Sequence, residues 1–452
     1  MFSNLRKYSN KSAPYSKIYK EYSTHSKFII VGGGTAGIST AHQLISNDLA
    51  TRDEITIFDP AKYHYYQPGF TKLAGGVIKS KYILNNFIKY DMKELTNFVK
   101  FQNQAISQFL PEEDAVVTSN GDKFTYKRLI IAAGLQVNFN AIPGLNELIT
   151  DPNSSVCSIF EYNHALKTKK LINSFKGGKA IFTQHSAPIK CAGAPQKILY
   201  LAHDEWDTRF SGKYDIDFYT PLPGIFGVPY YAVELKKLAE RKGISIHNNQ
   251  ILSEIDSKYA TFKNNISGEL TKTKYDFIHV SPPMSAPSFL KGLPVSDASG
   301  FVETTPELRH KKYPRIYAAG DCVSLPCAKT ASAVFAQVPI MVQNMKKDMT
   351  RSIKVDGKYN GYSACPIYLK KGSLMLSEFK TFQDQTGNTV TTPEETFMPG
   401  KQTIPRRDFY YITKSLTFMY YIAMKNSFGK NWYGSNVFFK PKKKILLNLK
   451  QK

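Results

Sequence analysis

Two sets of residues in this 452-residue chain have the type and spacing to do chemistry. The first is Gly32, Gly34 and Gly37, a G-x-G-x-x-G series with Asp59 further on. In such a series the first glycine permits a tight turn and the second lets backbone approach a pyrophosphate. The third lets a helix pack closely on a strand. The second set is cysteine, at 157, 191, 322, 327 and 365. No pair forms a CxxC or a Cys/His zinc pattern, and five in so long a chain make no disulfide framework. No metal site is expected. The thiolate is the nucleophilic form of cysteine and cationic neighbours favour it, as Lys190 beside Cys191 could if the two are also neighbours in space.

These residues need particular elements to hold them. Lys27 to Val31 is a short apolar run of strand type leading into the glycines, and Ile38 to Ile45 follows with helical spacing. A second strand, Glu54 to Phe58, ends at Asp59, where an acid can hydrogen-bond ribose hydroxyls. The helix N-terminus then faces the phosphate charge, with Thr35 and Ala36 beside it. Two later segments are Tyr126 to Gly134 (YKRLIIAAG) and Tyr313 to Asp321 (YPRIYAAGD), each a strand running into a small-residue turn. Together with the first they resemble the three FAD motifs of two-dinucleotide flavoproteins of the disulfide-reductase group. The resemblance implies FAD as cofactor and Asp321 at its ribityl or phosphate region.

That architecture normally has a second glycine fingerprint for NAD(P)H. Here the strand Lys179 to Thr183 runs instead into Gln184 to Lys197, QHSAPIKCAGAPQK, with no G-x-G-x-x-G and two prolines in the turn. A nicotinamide pyrophosphate loses its docking backbone, so electrons are expected from another donor.

The segment Ile189 to Ala202 (IKCAGAPQKILYLA) is similar to the loop bearing an active cysteine in mitochondrial-type sulfide:quinone oxidoreductases. Lys358 to Pro366 (KYNGYSACP) resembles the loop with its partner. YHYYQPGF (63–70), GIFGV (224–228), HVSPPMSAP (279–287) and AAGDCVSLPCAKTASAV (318–334) are also family-like, and the likeness runs over roughly 27–440. The resemblance implies that hydrosulfide adds to a sulfur bridging Cys191 and Cys365. Cys365 then carries the persulfide, and Cys191 faces the flavin and passes it an electron pair. Ubiquinone takes the electrons, and the sulfane sulfur leaves to a small acceptor such as glutathione or sulfite. By position, Gln67 is expected near the cofactor, Ile106 on its adenine side, and Ala331, Ser332, Ala333 and Val334 at a helix start aimed at the flavin ring. Cys157, Cys322 and Cys327 read as small buried hydrophobes, and His64, His185 and His279 as structural histidines. An NADH:quinone oxidoreductase and a flavin-containing redox-sensing interaction protein are the alternatives.

The apolar share of 42% and charged share of 21% belong to a globular chain, and the net charge of +24 demands an anionic partner or a targeting role. Residues 1–27 hold six basic residues against Glu21, many serines and no continuous apolar stretch, as in a mitochondrial presequence. Residues 401–452 hold twelve Lys/Arg against Asp408. There Phe409, Ile412, Leu416, Met419 and Tyr420 recur at helical spacing, and Lys440 to Leu447 adds a basic-apolar run. This reads as an interfacial amphipathic segment, too short to span. No recognised motif supports nucleic-acid binding.

The expected fold is α/β, with two Rossmann-like dinucleotide-binding-type domains of the disulfide-reductase flavoprotein group and a C-terminal membrane-associating region. A presequence (1–26) precedes the first part of the FAD domain (27–145). A second Rossmann-like domain carrying Cys191 (146–289) follows, then the second part of the FAD domain (290–350). The C-terminal region (351–452) carries Cys365. The expected location is the matrix side of the inner mitochondrial membrane.

Overall fold

The computed structural model describes residues 24–78, 87–210, 213–350, 357–396, 398, 400–422 and 424. The presequence expectation, apart from Thr24 to Ser26, and the run from Lys440 to Leu447 lie outside these residues.

Near-continuous apolar runs such as Phe28 to Val31 and Ile55 to Phe58 suit strands covered on both faces, and these side chains are buried. They form five parallel strands in the order Lys100–Gln102, Ile55–Phe58, Thr24–Val31, Lys123–Ile131, Ile316–Ala318. On the side away from Thr24–Val31, the first half of Lys123–Ile131 pairs with Ala115–Thr118, which forms an antiparallel hairpin with Ile106–Leu110, so the sheet forks there. Register decides what the sheet can do. Val31 pairs with both Phe58 and Ile131, and Ile131 pairs with Ala318. Four carboxyl ends are therefore level. Gly32, Asp59, Ala132 and the Gly320–Asp321 step all leave from one edge, where open α/β sheets bind ligands. Helices Thr35–Ser46 and Ala331–Thr350 cover one face through Ala36, Ala41, Leu44, Ala336, Ile340 and Met341.

The first strand starts at Thr24, three residues before the expected start. Thr24, His25 and Ser26 pair with Phe124, Thr125 and Tyr126, and the buried Ser26 hydroxyl shares a 2.9 Å hydrogen bond with Thr56. A polar residue can sit in this strand because its hydroxyl has a partner.

A second parallel sheet runs Val156–Cys157, Phe277–His279, Gly178–Thr183, Tyr214–Tyr219, Ile244–His247. Helix Ala194–Phe210 covers it, with Trp206 buried among Phe175, Phe182 and Phe277. An antiparallel sheet, Gln250–Ile255, Tyr259–Asn264 and Leu270–Lys274, adjoins it. Another follows at Tyr362–Lys370, Ser373–Gln383 and Thr389–Pro393. The strand Tyr362–Lys370 packs against both Ala194–Phe210 and Ala331–Thr350, one helix from each sheet.

The last described helix, Arg407–Ile422, corrects the expected stripe. Phe409 and Tyr420 are buried, but Ile412 and Met419 are exposed. The buried row continues through Thr413 and Thr417, which an apolar-only reading skips, because their polar atoms bind the buried Lys72. Among the described residues no helix is long and apolar enough to cross a membrane.

Candidate active site

The glycine turn has the shape a pyrophosphate requires. Gly32 adopts φ +107, a conformation L side chains avoid, and its N–H reaches Phe58 O at 2.8 Å. A Cβ on Gly37 would lie 1.9 Å from Gly32 O, so helix and strand meet only without one. A Cβ on Gly34 would meet nothing within 4 Å, and this is the open side of the turn. That open cradle at a helix N-terminus fits the phosphates of FAD. Gly320 comes close on the far side: a Cβ there would touch the side chains of Ala36 and Val334 at 3.2 and 3.7 Å. The glycine turn, the Gly-Asp step and the Ala331–Val334 helix start thus converge.

The other expected cofactor residues have different surroundings. Asp59 accepts from Gly33 N at 2.6 Å and Ala61 N at 2.7 Å, so its carboxylate braces the turn. Burial raises that carboxyl's pKa against these two bonds. Burial also raises the Asp321 carboxyl, opposed by Lys190 and Lys329. Ile106 sends its side chain into the core with Ile29, Val31 and Phe58 and keeps only backbone for any ligand. Gln67 is exposed and precedes helix Pro68–Ala74.

The two singled-out cysteines meet. Cys191 Sγ and Cys365 Sγ are 3.2 Å apart, Cys365 buried and Cys191 partly so. Cys191 stands just before helix Ala194–Phe210 with φ +53, a left-handed conformation that costs a non-glycine residue about 1 kcal/mol. Its N–H bonds Lys329 O at 2.8 Å, in a short bridge between Lys190 and Lys329 that ties the cysteine loop to the segment before helix Ala331–Thr350. Cys365 is held through its strand. Ser332 Oγ accepts from Ala364 N at 2.7 Å and donates to Ala364 O at 2.9 Å. One of the expected flavin-helix residues thereby anchors the residue next to Cys365, at about 1 kcal/mol per bond. A Cβ on Gly193 would stand 2.5 Å from Cys365 Sγ, so only glycine leaves room for that sulfur.

The cation serving this pair is Lys197, not Lys190. Lys197 Nζ is 3.2 Å from Cys191 Sγ, whereas Lys190 is influenced by Asp321 and Glu161. The reason is helical: side chains lean toward the N-terminus of their helix, so Lys197 folds back over the turn that follows Cys191. The spacing was available in the sequence, but adjacency favoured the wrong lysine. The hydrogen bond from Cys365 chiefly lowers the Cys191 pKa, burial opposes this, and the Lys197 charge assists. The same bond, with burial, raises the Cys365 thiol well above its ordinary range. Burial disfavours the Lys197 ammonium, yet the two sulfurs hold its pKa above normal. At neutral pH the arrangement is a Cys191 thiolate, a protonated Cys365 and a cationic Lys197.

The remaining cysteines behave differently. Cys157 and Cys322 are fully buried, and burial lifts their thiols to about 12 and about 11. Cys327, partly exposed, is also raised by burial. His279 is fully buried and held near 3 by burial, while His64 packs beneath the glycine turn. His185 is partly buried, with Nδ1 3.4 Å from Ser186 O.

A parallel sheet with a dinucleotide turn, beside a second Rossmann-like sheet, is the architecture of a flavin-dependent oxidoreductase, and here it brings two cysteines together. Residues 26–172 match the family model described as pyridine nucleotide-disulphide oxidoreductase. The mitochondrial sulfide:quinone oxidoreductase of Schizosaccharomyces pombe is 36% identical over 93% of this chain and 94% of its own length. That of Mus musculus is 34% identical over 88% and 86%. The solved sulfide:quinone oxidoreductase of Aquifex aeolicus shares the fold at TM-score 0.70 and 19% identity, covering 90% of this chain and 94% of that one. The chain belongs to the sulfide:quinone oxidoreductase family.

Proposed function

We propose that this enzyme oxidises hydrogen sulfide at the Cys191–Cys365 pair and delivers the electrons through FAD to ubiquinone. The observation that carries the reading is the 3.2 Å separation of the two sulfurs beside Lys197. Two S–S bonds of about 2.05 Å meeting at a near-tetrahedral angle place their outer sulfurs roughly 3.3 Å apart. The pair is therefore spaced to share a third sulfur. Hydrosulfide attack at Cys365 Sγ would break its bond to the bridging sulfur, so that Cys365 becomes a persulfide carrying the incoming sulfur and the bridging sulfur leaves on Cys191 as a persulfide anion. Lys197 stabilises the anion that leaves on Cys191, and the high thiol pKa of Cys365 makes it the poorer leaving group, so attack falls at Cys365 and the incoming sulfur stays there. FAD, when bound, takes up an electron pair and returns it to quinone. Gly32, Gly34, Thr35, Ala36 and Gly37 would hold its pyrophosphate, with Asp59 at the ribose and Asp321 at the ribityl side. Gln67, Ile106 and the Ala331–Val334 helix start complete the proposed site.

The domain division set out above is part of the proposal, as is a sulfur acceptor of the glutathione or sulfite class. So is a place at the inner mitochondrial membrane, matrix side. Tyr411, Ile412, Phe418, Met419 and Ile422 expose one apolar face of helix Arg407–Ile422, with Arg407 and Lys414 also exposed. A face of this kind supports lying in a lipid interface with cations toward the headgroups.

An anaerobic titration tests the reaction. Sulfide should bleach the flavin band, NADH should not, and a soluble ubiquinone should restore it. Cys191→Ser and Cys365→Ser should each abolish bleaching by sulfide. Full bleaching in either variant removes the assigned pair, and bleaching by NADH points to the dehydrogenase alternative.

A further inference from the structure

Helix Arg407–Ile422 turns a polar row toward the body of the enzyme. Thr413, Thr417 and Tyr420 follow helical spacing, and each is hydrogen-bonded to the FAD-side domain. Lys72 Nζ donates to Thr413 O at 2.6 Å, Thr417 Oγ1 at 3.0 Å and Tyr66 Oη at 3.1 Å. The Tyr66 ring packs on Tyr420 at 4.4 Å between centroids.

Tyr420 goes further, reaching the glycine turn itself. Its hydroxyl lies 2.6 Å from Thr35 Oγ1 and 3.0 Å from His64 Nε2, and His64 Nδ1 lies 3.1 Å from Gly33 O. The proton order follows from chemistry. Burial holds His64 neutral, with a pKa of about 4, so its ring has one N–H and one lone pair. Gly33 O can only accept, so Nδ1 donates to it and Nε2 is the acceptor. Tyr420 must then donate to Nε2 and accept from the Thr35 hydroxyl. A one-directional chain, Thr35 to Tyr420 to His64 to Gly33, leaves the turn and returns to it two residues away. Tyr420 and His64 are both only 4% exposed, so water does not compete for these bonds.

We propose that Tyr420 is a positioning residue that couples FAD occupancy of the glycine turn to the order of the C-terminal helix. The turn that holds the pyrophosphate is also the surface on which the helix is seated. Fixing either one fixes the other, and by reciprocity the helix tightens FAD as much as FAD steadies the helix. The opposite face of the helix is the apolar one, so only flavin-loaded protein would present that face fully formed. This last step rests on the proposed lipid contact.

The test uses the full chain, flavin-stripped and reconstituted, without lipid. Hydrogen exchange of the 407–422 amides should slow by about tenfold on adding FAD. Tyr420→Phe keeps the ring packing on Tyr66 and breaks the chain. In it the FAD effect on exchange should largely vanish, and the FAD Kd should rise by roughly five- to tenfold, the loss of about one net hydrogen bond. Lys72→Met loosens the same helix at a point away from the turn. It should speed exchange with and without FAD while keeping the FAD-dependent difference. If Tyr420 only packs the helix, Tyr420→Phe will speed exchange equally in both states and leave the FAD Kd unchanged, which overturns the proposal. Wild-type exchange insensitive to FAD overturns it without any variant. Co-sedimentation of loaded enzyme with cardiolipin-containing vesicles reports separately on the lipid contact. Failure there removes the membrane reading and leaves the exchange result standing.

Discussion

Lys197 rests its ammonium 3.2 Å from the Cys191 sulfur, one helical turn beyond the loop that carries that cysteine. The hydrogen bond from Cys365 chiefly, and this contact after it, favour the ionised form of Cys191 and give the two thiols unequal reactivity.

Alkylation of the reduced enzyme should reveal this asymmetry. Cys191 should react with iodoacetamide well below the pH at which an ordinary thiol does, and Cys365 should lag. Lys197→Met removes a cation that lowers the Cys191 pKa, so its alkylation profile should move to higher pH. If the pKa rises by about one unit from about 5, the rate at pH 6 should fall by about twofold, and well below pH 5 by about tenfold. Mass spectrometry of the labelled peptides reads both sites.

Gly193→Ala should uncouple the pair without emptying the flavin site. The new methyl would crowd Cys365 Sγ, which must swing off Cys191. FAD content should stay near wild type while sulfide-driven flavin reduction falls by about a hundredfold, the order of effect expected when a reacting group is displaced by about 1 Å. Unimpaired reduction would mean the sulfurs work at a greater distance.

Two glycines of the same turn should fail in different ways. Gly37→Ala forces a methyl against Gly32 O and should lower the melting temperature of the flavin-free protein by several degrees, as a change of about 2 kcal/mol does in a large domain. Gly34→Ala meets no protein atom, so the flavin-free melting temperature should hold while FAD affinity drops. Calorimetry with and without FAD separates the two.

Lys72 sets a pH dependence of stability. Burial, and then the Lys197 charge, lower its pKa from 10.5 to about 7 in the fold. Below pH 7 both folded and unfolded chains hold the proton and the slope is zero. Between about 7 and 10.5 only the unfolded chain holds it, so this residue adds stability as pH rises, on the order of a few kcal/mol by the upper end. Lys72→Met should flatten that part of the profile, measured as the difference between wild-type and variant urea unfolding at pH 7 and 9.5.

How much of this was legible beforehand depends on the range of the interactions. The glycine turn and its flanking strand and helix are local, and their residue types report backbone needs directly. The sheet order and the level strand ends come from the structure, since the hand of a crossover fixes neither a strand's neighbours nor its register. The closeness of Cys191 and Cys365 came from resemblance, since nothing in spacing says that a strand beginning at Tyr362 will lie against a helix beginning at Ala194. Lys197 was missed because its contact depends on the lean of helical side chains, and Tyr420 because its partners lie in a turn hundreds of residues earlier. The C-terminal stripe was misread for a simpler reason: the buried row is partly threonine, and an apolar-only pattern passes over Thr413, whose carbonyl, and Thr417, whose hydroxyl, accept from a buried amine.

The 174-residue gap between the two sulfurs carries a consequence for biosynthesis. A ribosome finishes Cys191 long before it reaches the strand that supplies its companion. A nascent or truncated product therefore lacks the sulfur-shuttling centre altogether, however well its nucleotide fold has matured. Competence arrives late and all at once, which spares the half-made polypeptide any traffic in reactive sulfane.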